Sequence, residues 1–179
     1  MKYNKALFKG YDKILVTGPM RSGTTIASKI ISEDLGYKLI DERDHQDVPK
    51  TTDTIINVFD NFVIQGPGLS SYIELLSKDV LIVFMVRNCG DIIRSEKRVG
   101  WDAQVKELNK YIEQYEPKVL QYLQPISLLK YRMWIEVQRA NIKNFIELEY
   151  ESLKSHKLWV NEGERKNFTG KQTEIGVAV

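Results

Sequence analysis

Lys13-Ile14-Leu15-Val16-Thr17 runs straight into Gly18-Pro19-Met20-Arg21-Ser22-Gly23-Thr24-Thr25, and the stretch from Ile26 to Gly36 follows without a break. The first five residues form a short apolar run with β-branched side chains, closed by Gly-Pro, and read as a buried strand that ends in a loop. From Thr24 to Leu35 the apolar residues Ile26, Ala27, Ile30, Ile31 and Leu35 share one helical face, and Gly36 closes the pattern as a C-terminal glycine does. Strand, glycine loop and helix in that order open an α/β fold. The loop carries the spacing G-x-x-x-x-G-x-[ST]. Backbone N–H groups of such a loop and of the first helical turn point inward, and the helix dipole adds roughly half a positive charge. A phosphate is the expected guest.

Working outward, Tyr37 to Ile40 reads as a second strand that runs into the charged cluster Asp41-Glu42-Arg43-Asp44-His45. Gln46 to Asp60 shows no firm periodicity and is taken as a connection with one helical turn. Asn61 to Gln65 gives a third strand, ended by Gly66-Pro67-Gly68, and Ser70 to Ser77 a short helix. Val80 to Val86 is unbroken apolar sequence, which suits a central strand covered on both faces, as parallel sheets require. Residues 101–142 are helical in pattern, jointed at Pro117 and Pro125, and Asn144 to Glu149 returns as a fifth strand. Alternating strands and helices predict a three-layer α/β/α P-loop fold with a mainly parallel, about five-stranded sheet. Ligands are then expected at the carboxyl ends of the strands.

Composition narrows the setting. The chain has 179 residues, 42% apolar and 28% charged, and a mass of 20.8 kDa, which fits a single domain over 1–179 able to bury a real core. Lys plus Arg number 26 against 24 for Asp plus Glu, a net charge of +2 that argues against a nucleic-acid partner. One cysteine, Cys89, allows no internal disulfide, and with His45 and His156 the only histidines no Cys/His zinc cluster is expected. The longest apolar run, Val80 to Val86, is far below the ~20 residues of a membrane span. No secretory pattern opens the chain, so a cytoplasmic location without membrane attachment is expected.

In nucleoside-triphosphate-binding loops a lysine follows the second glycine, whereas Thr24 stands here and the cation is Arg21. Pro19, Arg21, Ser22, Gly23, Thr24 and Thr25 match in order P-x-[KR]-S-G-T-T, the 5′-phosphosulfate loop of the sulfotransferases, which the sequence resembles. Arg87-Asn88-Cys89-Gly90-Asp91-Ile92-Ile93-Arg94-Ser95 resembles that family's second signature, R-[DN]-P-x-D-x-x-x-S, with Cys89 in place of proline. Tyr150-Glu151-Ser152-Leu153 is similar to its landmark Y-E-D-L. The resemblance covers about residues 13–153. It implies a sulfotransferase moving a sulfuryl group from 3′-phosphoadenosine 5′-phosphosulfate to a hydroxyl or amine, without a metal. The acceptor would be an unidentified small molecule or glycan, bound at a shallow site beside the helical insertion of about 101–142 and completed by a partner or by the second chain of a homodimer.

Residue by residue, the resemblance gives Arg21 the bridging oxygen of the donor, Ser22, Gly23, Thr24 and Thr25 the 5′-phosphate, and Arg87 and Ser95 the 3′-phosphate. Arg165 and Lys166 echo the start of a late basic motif that closes over the same phosphate. The family's histidine base is replaced by Gln65, which cannot take a proton. The glutamate used in other branches falls on Glu42, so Arg21 and Glu42 are the expected catalytic pair, with Asp41, Asp44 and His45 as rival bases. Two other readings remain open. Leu35 to Glu42 behind a phosphate loop looks like the second strand of shikimate-type kinases, which implies an ATP-dependent small-molecule kinase. A P-loop module that binds nucleotide and transfers nothing is the third.

Overall fold

The computed structural model describes residues 1–45, 49–69, 73, 79–98 and 144–159. Five strands, β1 (Lys13–Thr17), β2 (Lys38–Ile40), β3 (Phe62–Gln65), β4 (Leu81–Val86) and β5 (Phe145–Glu149), form one sheet in the order β2-β3-β1-β4-β5. Every pairing is parallel, with Ile14 beside Val63 on one side and beside Leu81 on the other. Among the described residues the α-helices are α1 (Thr24–Leu35), the single turn α2 (Glu42–His45), α3 (Pro49–Val58) and α4 (Cys89–Arg98). The expected α/β/α P-loop fold with a parallel five-stranded sheet is therefore the fold of the chain.

Strand alternation builds the layers. Ile14 and Val16 of β1 point toward α1, where they pack with Val63, Val83, Met85 and the helix residues Ala27, Ile30 and Ile31. Leu15, between them, points the other way and joins Ile64, Ile82, Phe84 and Ile56 of α3. Each fully buried aliphatic side chain in these two cores contributes about 1.5–3 kcal/mol, which is why the apolar runs of β1 and β4 sit at the sheet's centre. The helix α1 ends at Gly36, whose N–H donates to the Glu33 carbonyl at 3.4 Å while Tyr37 N–H donates to the Ser32 carbonyl at 3.0 Å.

Two connections differ from expectation. Between β2 and β3 the chain forms the ten-residue helix α3 rather than one turn. Its buried stripe holds Thr52 beside Ile56, both fully buried, and its first half, Pro49-Lys50-Thr51-Thr52-Asp53-Thr54, is polar and rich in threonine, a weak helix former. The charged cluster after β2, to which the sequence assigned no element, winds into a helical turn. The predicted helix Ser70 to Ser77, apart from Ile73, and the insertion 101–142 lie outside the described residues. Among the described residues no helix is long and apolar enough to cross a membrane.

Candidate functional site

Because all strands run parallel, their carboxyl ends share one edge, and the chain leaves β1 toward β2 but leaves β4 toward β5. Oppositely directed exits from neighbouring strands open a crevice between β1 and β4. The loop Gly18 to Gly23 fills that place. It is pinned on two sides: a Cβ on Gly18 would lie 3.1 Å from the Met85 backbone, and one on Gly23 would run into the Tyr150 ring. Gly23 also has φ 101°, a left-handed conformation that any side chain would strain. Arg21 holds φ 63° despite its side chain.

The loop's polar groups converge. Ser22 N–H donates to the Pro19 carbonyl at 3.0 Å, closing a turn. The Ser22 hydroxyl is fully buried and has no hydrogen-bond partner among the described residues, an unmet donor of the kind native structures keep for a ligand. Arg21 Nε donates to Ser95 Oγ at 3.0 Å, and Arg87 Nη1 donates to the Arg21 carbonyl at 2.9 Å. Arg87 stands at the end of β4, and Ser95, buried, lies on the second turn of α4. Cys89 is the first residue of that helix, a position where proline is favoured. Arg21, Arg87 and Ser95, far apart in sequence, are thus in direct contact.

On the other flank, Gln65 at the end of β3 is buried and its amide grips Glu42 twice. Gln65 Nε2 donates to Glu42 Oε2 at 3.0 Å, and Glu42 N–H donates to Gln65 Oε1 at 3.4 Å. The same Nε2 reaches Thr24 Oγ1 at 3.5 Å, so the carboxylate is tied to the first residue of α1 through one amide. The rivals of Glu42 are otherwise employed. Asp41 accepts from Arg43 N–H at 3.1 Å, and Asp44 accepts from Asp41 N–H at 3.0 Å, a reciprocal cap that starts the turn α2. Burial works to raise the Asp41 pKa, but its bonds from Arg43 outweigh this and hold it below the usual carboxylate range. His45 is buried, with Nε2 donating to the Gln65 carbonyl at 2.9 Å and Nδ1 3.3 Å from Thr52 Oγ1. It props Gln65 from beneath and does not face solvent.

Arg165 and Lys166 lie outside the described residues. Sequence reasoning passed over Tyr150 and the positive role of Gln65. The register Val86 beside Glu149, which carries Arg87 and Tyr150 into neighbouring places, is a relation between strands that no single stretch of sequence displays.

No family model and no curated protein matches the chain. Among solved structures it is similar to shikimate kinase from Acinetobacter baumannii in complex with shikimate, at 13% identity, over 81% of this chain and 86% of that one, with a TM-score of 0.46. That likeness concerns fold alone. The expectation of a 3′-phosphoadenosine 5′-phosphosulfate-dependent sulfotransferase gains no support from it, the similar structure being a shikimate kinase. The physical reason the motifs misled is visible in the site. Arg87 and Ser95 brace the phosphate loop itself, through the Arg21 carbonyl and the Arg21 side chain, a task that does not depend on a 3′-phosphate.

Proposed function

We propose that the chain binds the phosphates of a nucleoside triphosphate in the β1/β4 crevice and acts as a small-molecule kinase. The observation that carries this reading is the pairing of a braced phosphate loop with a carboxylate fixed beside it: Arg21, Arg87 and Ser95 on one flank, Glu42 held to Thr24 through Gln65 on the other. Phosphoryl transfer needs positioning and cations more than covalent chemistry from the protein. Loop N–H groups and the buried Ser22 hydroxyl supply donors, and Arg21 and Arg87 supply the charge that a loop lysine provides elsewhere. Thr25 stands at the hydroxyl position that meets the magnesium brought in with the nucleotide.

In the reaction an acceptor hydroxyl attacks the γ-phosphorus, a new oxygen–phosphorus bond forms, and the bond to the β,γ-bridging oxygen breaks, releasing ADP. Glu42 accepts the hydroxyl proton. Thr24 in the lysine position favours a second reading, a nucleotide-binding module without transfer. Calorimetry with ATP and magnesium, ADP, and 3′-phosphoadenosine 5′-phosphate, followed by ADP-release assays over small polyhydroxylated acceptors, separates the cases. Tight magnesium-dependent ATP binding with acceptor-dependent ADP release is the expected result. Binding without release on any acceptor supports the module, and preference for 3′-phosphoadenosine 5′-phosphate over ATP overturns both.

A further inference from the structure

Tyr150 lies beneath the phosphate loop, at the carboxyl end of β5, and is 3% exposed. The register that sets Val86 beside Glu149 makes Arg87 and Tyr150 the next neighbours along the two strands. The Arg87 guanidinium carbon stands 4.0 Å from the centre of the Tyr150 ring, and Trp159 meets the same ring edge-on at 5.0 Å between centroids. The ring also lies where any side chain on Gly23 would have to go. Arg87 in turn donates to the carbonyl of Arg21. One aromatic ring therefore meets the last glycine of the loop at its Cδ2–Cε2 edge and carries on its face the arginine that braces the loop.

We infer that Tyr150 is a positioning residue for the phosphate site, acting through its ring, whose face holds Arg87 and whose edge abuts Gly23, rather than through its hydroxyl. This rests on the phosphate-binding reading above. A planar guanidinium lying on an aromatic face is attracted to the ring's negative face and restricted to that plane. Its N–H fork is then aimed along the loop before an anion arrives, so less side-chain freedom is lost on binding. Contact with Gly23 at the ring's edge fixes the loop's position beside it.

The test uses the full chain, inorganic pyrophosphate and magnesium-ADP as probes, and Tyr150→Phe, Tyr150→Leu, Arg87→Ala and the Tyr150→Leu/Arg87→Ala pair, each checked by thermal melting. Tyr150→Phe keeps the ring and is expected to bind within about twofold of wild type, while folded Tyr150→Leu binds about 3- to 30-fold more weakly. In the pair, the leucine substitution costs less than it does alone, because its effect runs through Arg87. Proton NMR of the free protein adds a readout that does not require the leucine variant to fold: Arg87 side-chain protons shift upfield in wild type and Tyr150→Phe. Wild-type affinity in folded Tyr150→Leu, equal weakening by Phe and Leu, or absence of the upfield shift overturns the inference while leaving the phosphate site standing. Failure of wild type to bind either probe overturns the phosphate-site reading itself.

Discussion

The two ends of α1 solve the same problem in opposite ways. At its carboxyl end Gly36 and Tyr37 satisfy the last carbonyls, and Asp34 accepts from the Tyr3 hydroxyl at 2.6 Å and pairs with His156 Nε2 at 3.2 Å. His156 Nδ1 accepts Leu158 N–H at 3.1 Å, so Nε2 carries the proton that Asp34 receives. At the amino end, Gly23 offers no side-chain cap, Arg21 is held left-handed, and the Ser22 hydroxyl is buried without a partner among the described residues. One end spends its polar groups on the fold; the other, on the proposed phosphate-binding reading, keeps the Ser22 hydroxyl for a ligand. Variants at the two ends should therefore separate stability from affinity.

The largest effect should come from Glu42→Gln. It removes the proton acceptor and lowers turnover by about 100- to 10,000-fold in the ADP-release assay, with ATP affinity by calorimetry within about twofold of wild type. Gly23→Ala comes next, since it meets a left-handed cost of about 1–2 kcal/mol and an overlap with the Tyr150 ring of about 1–3 kcal/mol. Thermal melting should fall by several degrees and pyrophosphate binding should be lost in the same protein. Arg87→Ala removes charge-assisted donors worth about 1.5–3 kcal/mol and should weaken ATP about 10- to 100-fold, while the urea midpoint moves less than it does in Gly23→Ala.

The smallest effect belongs to the other end. Tyr3→Phe should cost about 0.5–1.5 kcal/mol of stability and leave ATP affinity unchanged. Its pH dependence is distinctive. Burial, then the hydrogen bond and charge of Asp34, push the Tyr3 hydroxyl above its ordinary 10.0. Burial works to raise Asp34, but its bonds to Tyr3 and His156 prevail and hold it below 3.8. The Asp34 contribution is present above 3.8 and is lost as pH falls through the lower folded value; the Tyr3 contribution is present below 10.0 and is lost as pH rises beyond it. Urea midpoints of wild type and Tyr3→Phe should differ most on the plateau between and converge toward both extremes.

The same contrast explains what could be read from residues alone. Strands buried on both faces have to be continuous apolar runs, so β1 and β4 declare themselves, and α1 sets Ala27, Ile30 and Ile31 on one face between two glycines. Helix α3 hides because its first half, Pro49 to Thr54, is polar and rich in threonine, a weak helix former. The cluster Asp41 to His45 looks like four equivalent ionisable groups until the cap formed by Asp41 and Asp44, and the prop formed by His45, are seen in space. Tyr150 read as a landmark since its partners, Gly23 and Arg87, come from other strands. Local signals name elements, and the partners of a side chain depend on register.

Arg21 carries a consequence for how this protein can change. A left-handed backbone costs an arginine about 1–2 kcal/mol, which asparagine largely escapes through its short side chain. Any drift toward a sturdier loop at this position thus trades away the cation next to Ser95, and any gain in anion affinity through a long basic side chain is taken out of folding stability. If the loop holds a phosphate as proposed, it sits on a ridge between durability and grip, and selection for heat tolerance alone would push it off on the side where that hold is lost.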